Sequence, residues 1–190
     1  MNKNQVKNNI VMGFDMDGVI IDHSRQKILL AKKAGFNIKR TQTPSELMNS
    51  LIPLPQYREL LNLLYNHPEI GLASPLMPEV KQSLSTIQKK NIPLFLISRR
   101  KNGTIAVKLL VKHGLWPKYF NESNTHFVKE VNDKETTAKK LGITHYIDDE
   151  QKVLNALISV KNKFLFDALG VFKNSGHARV ESWRDITHLI

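Results

Sequence analysis

Short apolar runs separated by amphipathic stretches organise this chain. Ile10–Phe14, Pro93–Ile97, His145–Ile147 and Phe164–Phe166 are each three to five residues long and rich in Ile, Phe or Val, which predicts buried strands. Helical spacing lies between them. From Pro78 to Lys90, Val80, Leu84 and Ile87 share one face. From Gly103 to His113, Ile105 and Leu109 stand one turn apart and Gly114 supplies a stop. A third helix is predicted from near Asp133 to Gly142, with Leu141 as its last apolar residue. Strands alternating with helices predict βαβ units around a parallel sheet. The tail from Phe164 to Ile190 adds a strand and a closing helix on which Trp183, Ile186 and Ile190 continue one face, making Trp183 a core anchor.

Prolines interrupt this alternation once. Six of the eight fall between residues 44 and 78, and the window has its own helical pattern in Tyr57, Leu60, Leu61 and Leu64. A small helical insertion over residues 36–78 is therefore expected within a core made of 1–35 and 79–190. The length of 190 residues, with 41% hydrophobic and 24% charged, suits one such domain and excludes wholesale disorder. No cysteine is present, so disulfides, thiolate metal sites and cysteine nucleophiles are excluded. The apolar run behind the polar stretch Met1–Asn9 is too short for a signal-peptide core, and nothing approaches the roughly 18 apolar residues of a membrane helix. A soluble, cytoplasmic protein is expected. Lys+Arg outnumber Asp+Glu by 28 to 17, a net charge of +11, which opens two readings: a nucleic-acid surface, or a preference for anionic small molecules.

Ligands of open α/β sheets bind beyond the carboxyl ends of the strands. At those ends the sequence offers Asp15-Met16-Asp17-Gly18, then Ser98-Arg99-Arg100, then Asp148-Asp149-Glu150. Four acids converging on one rim repel each other unless a cation sits among them, and hard carboxylate oxygens favour Mg2+. Each piece has a plainer use. An Asp-x-Asp-Gly turn arises by chance, Asp148 and Asp149 suit a helix start, Ser98 suits a cap, and Lys134 suits a solvated helix face. A calcium loop is excluded, because its fifth, sixth and twelfth positions are Val19, Ile20 and Gln26. Only the order and placement of all the pieces together single out a site.

In that order the chain resembles the haloacid-dehalogenase-like hydrolases over residues 10 to about 150. Phe14-Asp15-Met16-Asp17-Gly18-Val19-Ile20 is similar to their first motif and Ile97-Ser98 to their second. Lys134 resembles the third, and Tyr146-Ile147-Asp148-Asp149 the fourth. The resemblance implies a Rossmann-like three-layer α/β sandwich with a small helical cap. It implies a phosphatase in which Asp15 attacks phosphorus and Asp17 serves as acid and then base. Mg2+ would be held by Asp15, the Asp17 backbone carbonyl and Asp149, with Asp148 either a further ligand or a partner of one, and Glu150 the alternative to it if that ligand is present at all. Ser98 and Lys134 would bind the phosphoryl group, and Arg99 and Arg100 would grip a second anionic group on the substrate. From their position just past the first motif, His23 and Arg25 are also expected to face the substrate. Two departures bear on the metal shell and the first loop: Asp22 is followed by His23 and only then Ser24, and Val153 and Leu154 stand where relatives often carry another acid.

The expected substrate is a small phosphate ester or nucleotide. The competing reading is a nucleic-acid-binding protein or a phosphatase of nucleic-acid ends. Against it, the basic pairs are scattered (Lys32-Lys33, Lys39-Arg40, Lys89-Lys90, Lys139-Lys140), with no zinc-finger spacing and no aromatic-basic signature. A catalytically silent partner-binding protein and a phosphomutase are disfavoured, the first by the full set of site residues.

Overall fold

A computed structural model describes residues 10–100 and 102–190; residues 1–9, expected to open the core, lie outside the described residues. Six parallel strands form one sheet in the order β3-β2-β1-β4-β5-β6. The first is β1 (Met12–Phe14), wholly buried at the sheet's centre between β2 (Leu94–Arg99) and β4 (His145–Asp148). β3 (Thr125–Val128) flanks β2, while β5 (Asn162–Phe166) and β6 (Ala178–Val180) extend the other side. Because every strand is parallel, all carboxyl ends lie on one rim.

Alternate strand residues pack to opposite sides, as the two-residue period of a pleated strand requires. Leu94, Leu96, Ile147 and Phe166 join one core with α5 (Val80–Lys89), α6 (Thr104–Lys112) and α9 (Trp183–Thr187). Ile97, Tyr146 and Leu165 join the other with α7 (Val131–Lys140) and α8 (Gln151–Ala156). This is a Rossmann-like three-layer α/β sandwich. Trp183, fully buried, stacks on Phe14 at 5.1 Å and donates its indole N–H to the Val19 carbonyl at 2.7 Å, so the closing helix is anchored to the loop after β1.

Between β1 and β2 the chain runs through α1 (Ser24–Lys33), a 3-10 turn at Arg40–Gln42, and then α2 (Ser45–Leu51), α3 (Leu54–Asn66) and α4 (Pro68–Gly71). Prolines stand at helix starts here: Pro44 and Pro53 precede α2 and α3, and Pro68 opens α4. The missing N–H costs nothing there and the fixed φ is already helical, so a proline-rich window becomes three helices. Met48, Ile52, Tyr57, Leu60 and Leu64 form a third apolar cluster with Leu30 and Ala31 of α1.

The structure differs from the sequence pattern at several points. β3 and β6 are outer strands: β3 has no fully buried position and β6 spans three residues with Arg179 at its middle, so neither reads as an apolar run. In α1 the buried positions include Gln26 and Lys27, which breaks its apolar periodicity. α5 begins at Val80 because Glu79 sits in the left-handed region, with φ at 64°. α7 begins two residues before Asp133, where Glu130 and Asp133 close a capping box. Ile190 lies beyond α9, which ends at Thr187, and packs partly buried against the core. No helix among the described residues is long and apolar enough to cross a membrane.

Candidate active site

The central strands deliver the acids. Phe14 pairs in register with Ile147, which places Asp15 level with Asp148 one step beyond, and the Asp15 N–H is held by the Ile147 carbonyl at 2.9 Å. Lys134, the fourth residue of α7, reaches across from the helix layer. Its Nζ donates to Asp15 Oδ1 at 2.6 Å and to Asp148 Oδ2 at 2.8 Å. The other Asp15 oxygen accepts from the Asp17 N–H at 3.0 Å, and Asp148 Oδ1 accepts from the Glu150 N–H at 3.0 Å.

Asp149 completes the rim differently. Among the described residues its carboxylate has no hydrogen bond or ion pair, although Asp15, Asp148 and Asp149 each offer an oxygen within 4.8 Å of the others. It lies against the backbone of Gly18, where a Cβ would stand 2.2 Å from Asp149 Oδ2 and φ is +85°. Only glycine allows that approach and that backbone. Burial, then the charges of Asp148, Glu150 and Asp15, push the Asp149 carboxyl well up from the ordinary carboxylate range. Burial also lifts Asp15, to about 7, against the pull of Lys134. Lys134 is raised well above the usual lysine value: burial alone would lower it, but Asp148 and Asp15 outweigh that cost. Three carboxylates thus face one ammonium. Hard oxygens, an unpartnered carboxylate and unbalanced negative charge are the donor set a divalent cation such as Mg2+ fits.

Asp17 belongs to a separate network. The Arg100 Nε donates to its Oδ2 at 3.0 Å and the Arg100 Nη2 to its Oδ1, which also accepts from His23 Nε2 at 2.7 Å. The other His23 nitrogen meets the Ser74 hydroxyl at 2.6 Å, on the segment returning from α4. Burial would raise the Asp17 carboxyl, but Arg100 and His23 overcome it and hold the group far below the usual range. The charge of Asp17 is therefore met by protein side chains, where the sequence suggested a metal ion for both Asp15 and Asp17. Burial lowers the His23 pKa, so a neutral imidazole donates from Nε2 to Asp17 and accepts from Ser74.

Ser98 lies on the same rim, fully buried, its hydroxyl without a partner among the described residues. Arg99 reaches Glu150 at 3.3 Å, whereas Arg100 is turned inward, over the Tyr65 ring at 4.5 Å as well as onto Asp17. Arg25 is exposed and borders a surface hollow that Asp15, Asp17, Asp148 and Asp149 do not line.

A cavity of about 510 Å3 stands over the rim. Asp15, Asp17, Lys134, Asp148 and Asp149 form its floor, and Tyr57, Arg58 and Tyr65 of α3 face them. Lys27 and Glu46 border it too. Lys27, buried on α1, donates to the Thr43 carbonyl at 3.0 Å. Glu46 of α2 accepts from the N–H groups of Gln151 at 2.7 Å and Lys152 at 3.4 Å, joining the inserted helices to the start of α8. None of these contacts has a local sequence signal; each depends on how the insertion folds back.

No protein-family model matches this chain, and no curated protein matches its sequence. Solved structures do. A conserved haloacid dehalogenase-like protein of unknown function from Agrobacterium tumefaciens superposes with a TM-score of 0.64 at 16% identity, over 94% of this chain and 96% of that one. A haloacid dehalogenase family hydrolase from Deinococcus radiodurans, solved with bound phosphate and sodium, gives 0.61 at 15% identity, over 93% and 92%. A family IA hydrolase of the same superfamily from Entamoeba histolytica gives 0.62 at 15%, over 93% and 94%. At such identities the likeness is one of fold, and the fold this chain shares is that of the haloacid dehalogenase-like hydrolases.

Proposed function

We propose that this protein is a Mg2+-dependent phosphomonoester hydrolase working through an aspartyl-phosphate on Asp15. The observation that carries the reading is the meeting of Asp15, Lys134, Asp148 and Asp149 beneath one cavity, with Lys134 brought to Asp15 from 119 residues along the chain. The phosphate bound in the Deinococcus radiodurans hydrolase of the same fold supports it.

In the first half-reaction a carboxylate oxygen of Asp15 forms a bond to phosphorus as the bond to the ester oxygen breaks. The departing oxygen takes a proton from Asp17. In the second, water attacks the phosphoryl group, Asp17 takes the water proton, and phosphate leaves as the Asp15 carboxylate re-forms. Arg100 and His23 hold Asp17 as the carboxylate, the form needed for the second half. Acting as the acid requires that grip to loosen. Lys134 offsets charge on the transferring group, and the unpartnered Ser98 hydroxyl donates to a phosphoryl oxygen. A Mg2+ ion held by Asp15, Asp149 and the Asp17 carbonyl, with Asp148 beside it, would supply positive charge against the phosphate dianion. Residues 36–78 serve as the cap, which excludes water and selects the substrate. We place the enzyme in the cytoplasm.

The test is phosphate release from an aryl phosphate in the presence of Mg2+. Asp15→Asn should lower kcat by at least about 10³-fold, since the nucleophile is gone. Parent-like turnover by Asp15→Asn would overturn the assignment.

A further inference from the structure

Beside the cavity over the acids lies a second, open hollow of about 560 Å3, and the two share Arg58, Leu61, Tyr65 and Arg99. Their chemistry differs sharply. The inner one mixes cations with six carboxylates, whereas the outer one is lined by Arg58, Arg99, Arg100 and Lys129, with asparagines and no carboxylate. Arg58, Asn62 and Asn66 recur every four residues along α3 and so form one polar stripe facing the ends of β2 and β3.

Two of the four cations here are unpaired among the described residues. These are Arg58 and Lys129, whereas Arg99 shares its charge with Glu150 and Arg100 with Asp17. Arg100 is 6% exposed; its Nε and Nη2 serve Asp17, but its Nη1 is buried without a hydrogen-bond partner. An orphaned guanidinium N–H beside three further cations, with no acid among them, is a site for an anion.

We infer that the outer hollow binds a second phosphate of the substrate, so that the preferred ester is a small bisphosphate whose other phosphate lies over Asp15. This rests on the phosphatase reading and adds a substrate class to it. Because the hollows share a wall, one compact molecule spans both. Arg100, which lines the outer hollow while its Nε and Nη2 hold Asp17, then links the two sites.

The test compares kcat/KM for a hexose monophosphate with a hexose bisphosphate, and for a nucleoside monophosphate with the matching bisphosphate. On at least one scaffold the bisphosphate should be favoured by about tenfold or more, the effect of one charge-assisted contact. The double variant Arg58→Ala/Lys129→Ala, both positions exposed, should bring that preference within about threefold. Lys139→Ala/Lys140→Ala removes equal charge from residues bordering neither hollow and should preserve the preference. Equal turnover of mono- and bisphosphates by an active enzyme, or a preference that survives the first double variant, would overturn the subsite alone. A 5′-phosphorylated oligonucleotide turned over faster than every bisphosphate would overturn it in favour of nucleic-acid ends. An enzyme inert toward every ester, aryl phosphate included, would bring down the phosphatase reading beneath it.

Discussion

Gly18 shows how much a single residue governs here. At its φ of +85° any other residue is strained, and a side chain there would meet the Asp149 carboxylate. Gly18→Ala should destabilise the protein by about 1–3 kcal/mol through the backbone alone. It should also push the Asp149 carboxylate off the rim, so that Mg2+-dependent hydrolysis falls more than stability does. Denaturant unfolding beside an aryl phosphate assay separates the two effects, and parent activity in Gly18→Ala would show that Asp149 can move without loss. At this scale, residues in short contiguous motifs were legible: Asp15, Asp17, Asp148 and Asp149 all stand at or just past the end of a buried strand. Arg100 and His23 were legible as polar residues near a strand end, but not as the pair that grips Asp17. That grip forms across 83 residues and has no spacing rule.

Glu46 plays the corresponding part among the elements. Its carboxylate supplies acceptors to the free N–H groups opening α8, immediately after Asp149 and Glu150, and so fastens α2 to the segment bearing the acids. Glu46→Ala removes charge-assisted bonds worth about 1.5–3 kcal/mol. The expected outcome is faster limited proteolysis across residues 43–53 with little change in global unfolding, because the cost is confined to the inserted helices. An unchanged cleavage rate would mean that the Leu30–Met48–Leu64 cluster holds them unaided. The elements best read from sequence were those with continuous apolar faces, β1, β2, β4, β5, α5 and α6. The outer strands β3 and β6 escaped because one of their sides is wet. α1 escaped because Gln26 and Lys27 are buried for their hydrogen bonds to the Ala73 and Thr43 carbonyls, not for hydrophobicity.

For the whole molecule, the net charge of +11 coexists with a cluster of buried acids, so electrostatics act in opposite senses at the surface and at the site. A basic exterior draws anions in, an attraction that salt screens over about 8–10 Å. The acid cluster, by contrast, opposes its own folding until a cation joins it. Adding Mg2+ should therefore raise the melting temperature, with a gain of about 2.7 kcal/mol at a hundredfold excess over Kd, and EDTA should reverse it. The rise should vanish in Asp149→Asn. A Mg2+ shift that persists there would assign the ion to other groups.

The contact between the closing helix and the first loop makes that experiment directly visible. Trp183 is one of only two tryptophans, fully buried against the residue that precedes Asp15 and hydrogen-bonded to Val19 four residues after it. With Trp116 replaced by Phe, every photon of indole emission comes from beside Asp15. Events at the acid cluster thereby acquire an optical readout, supplied by a side chain that belongs to the core.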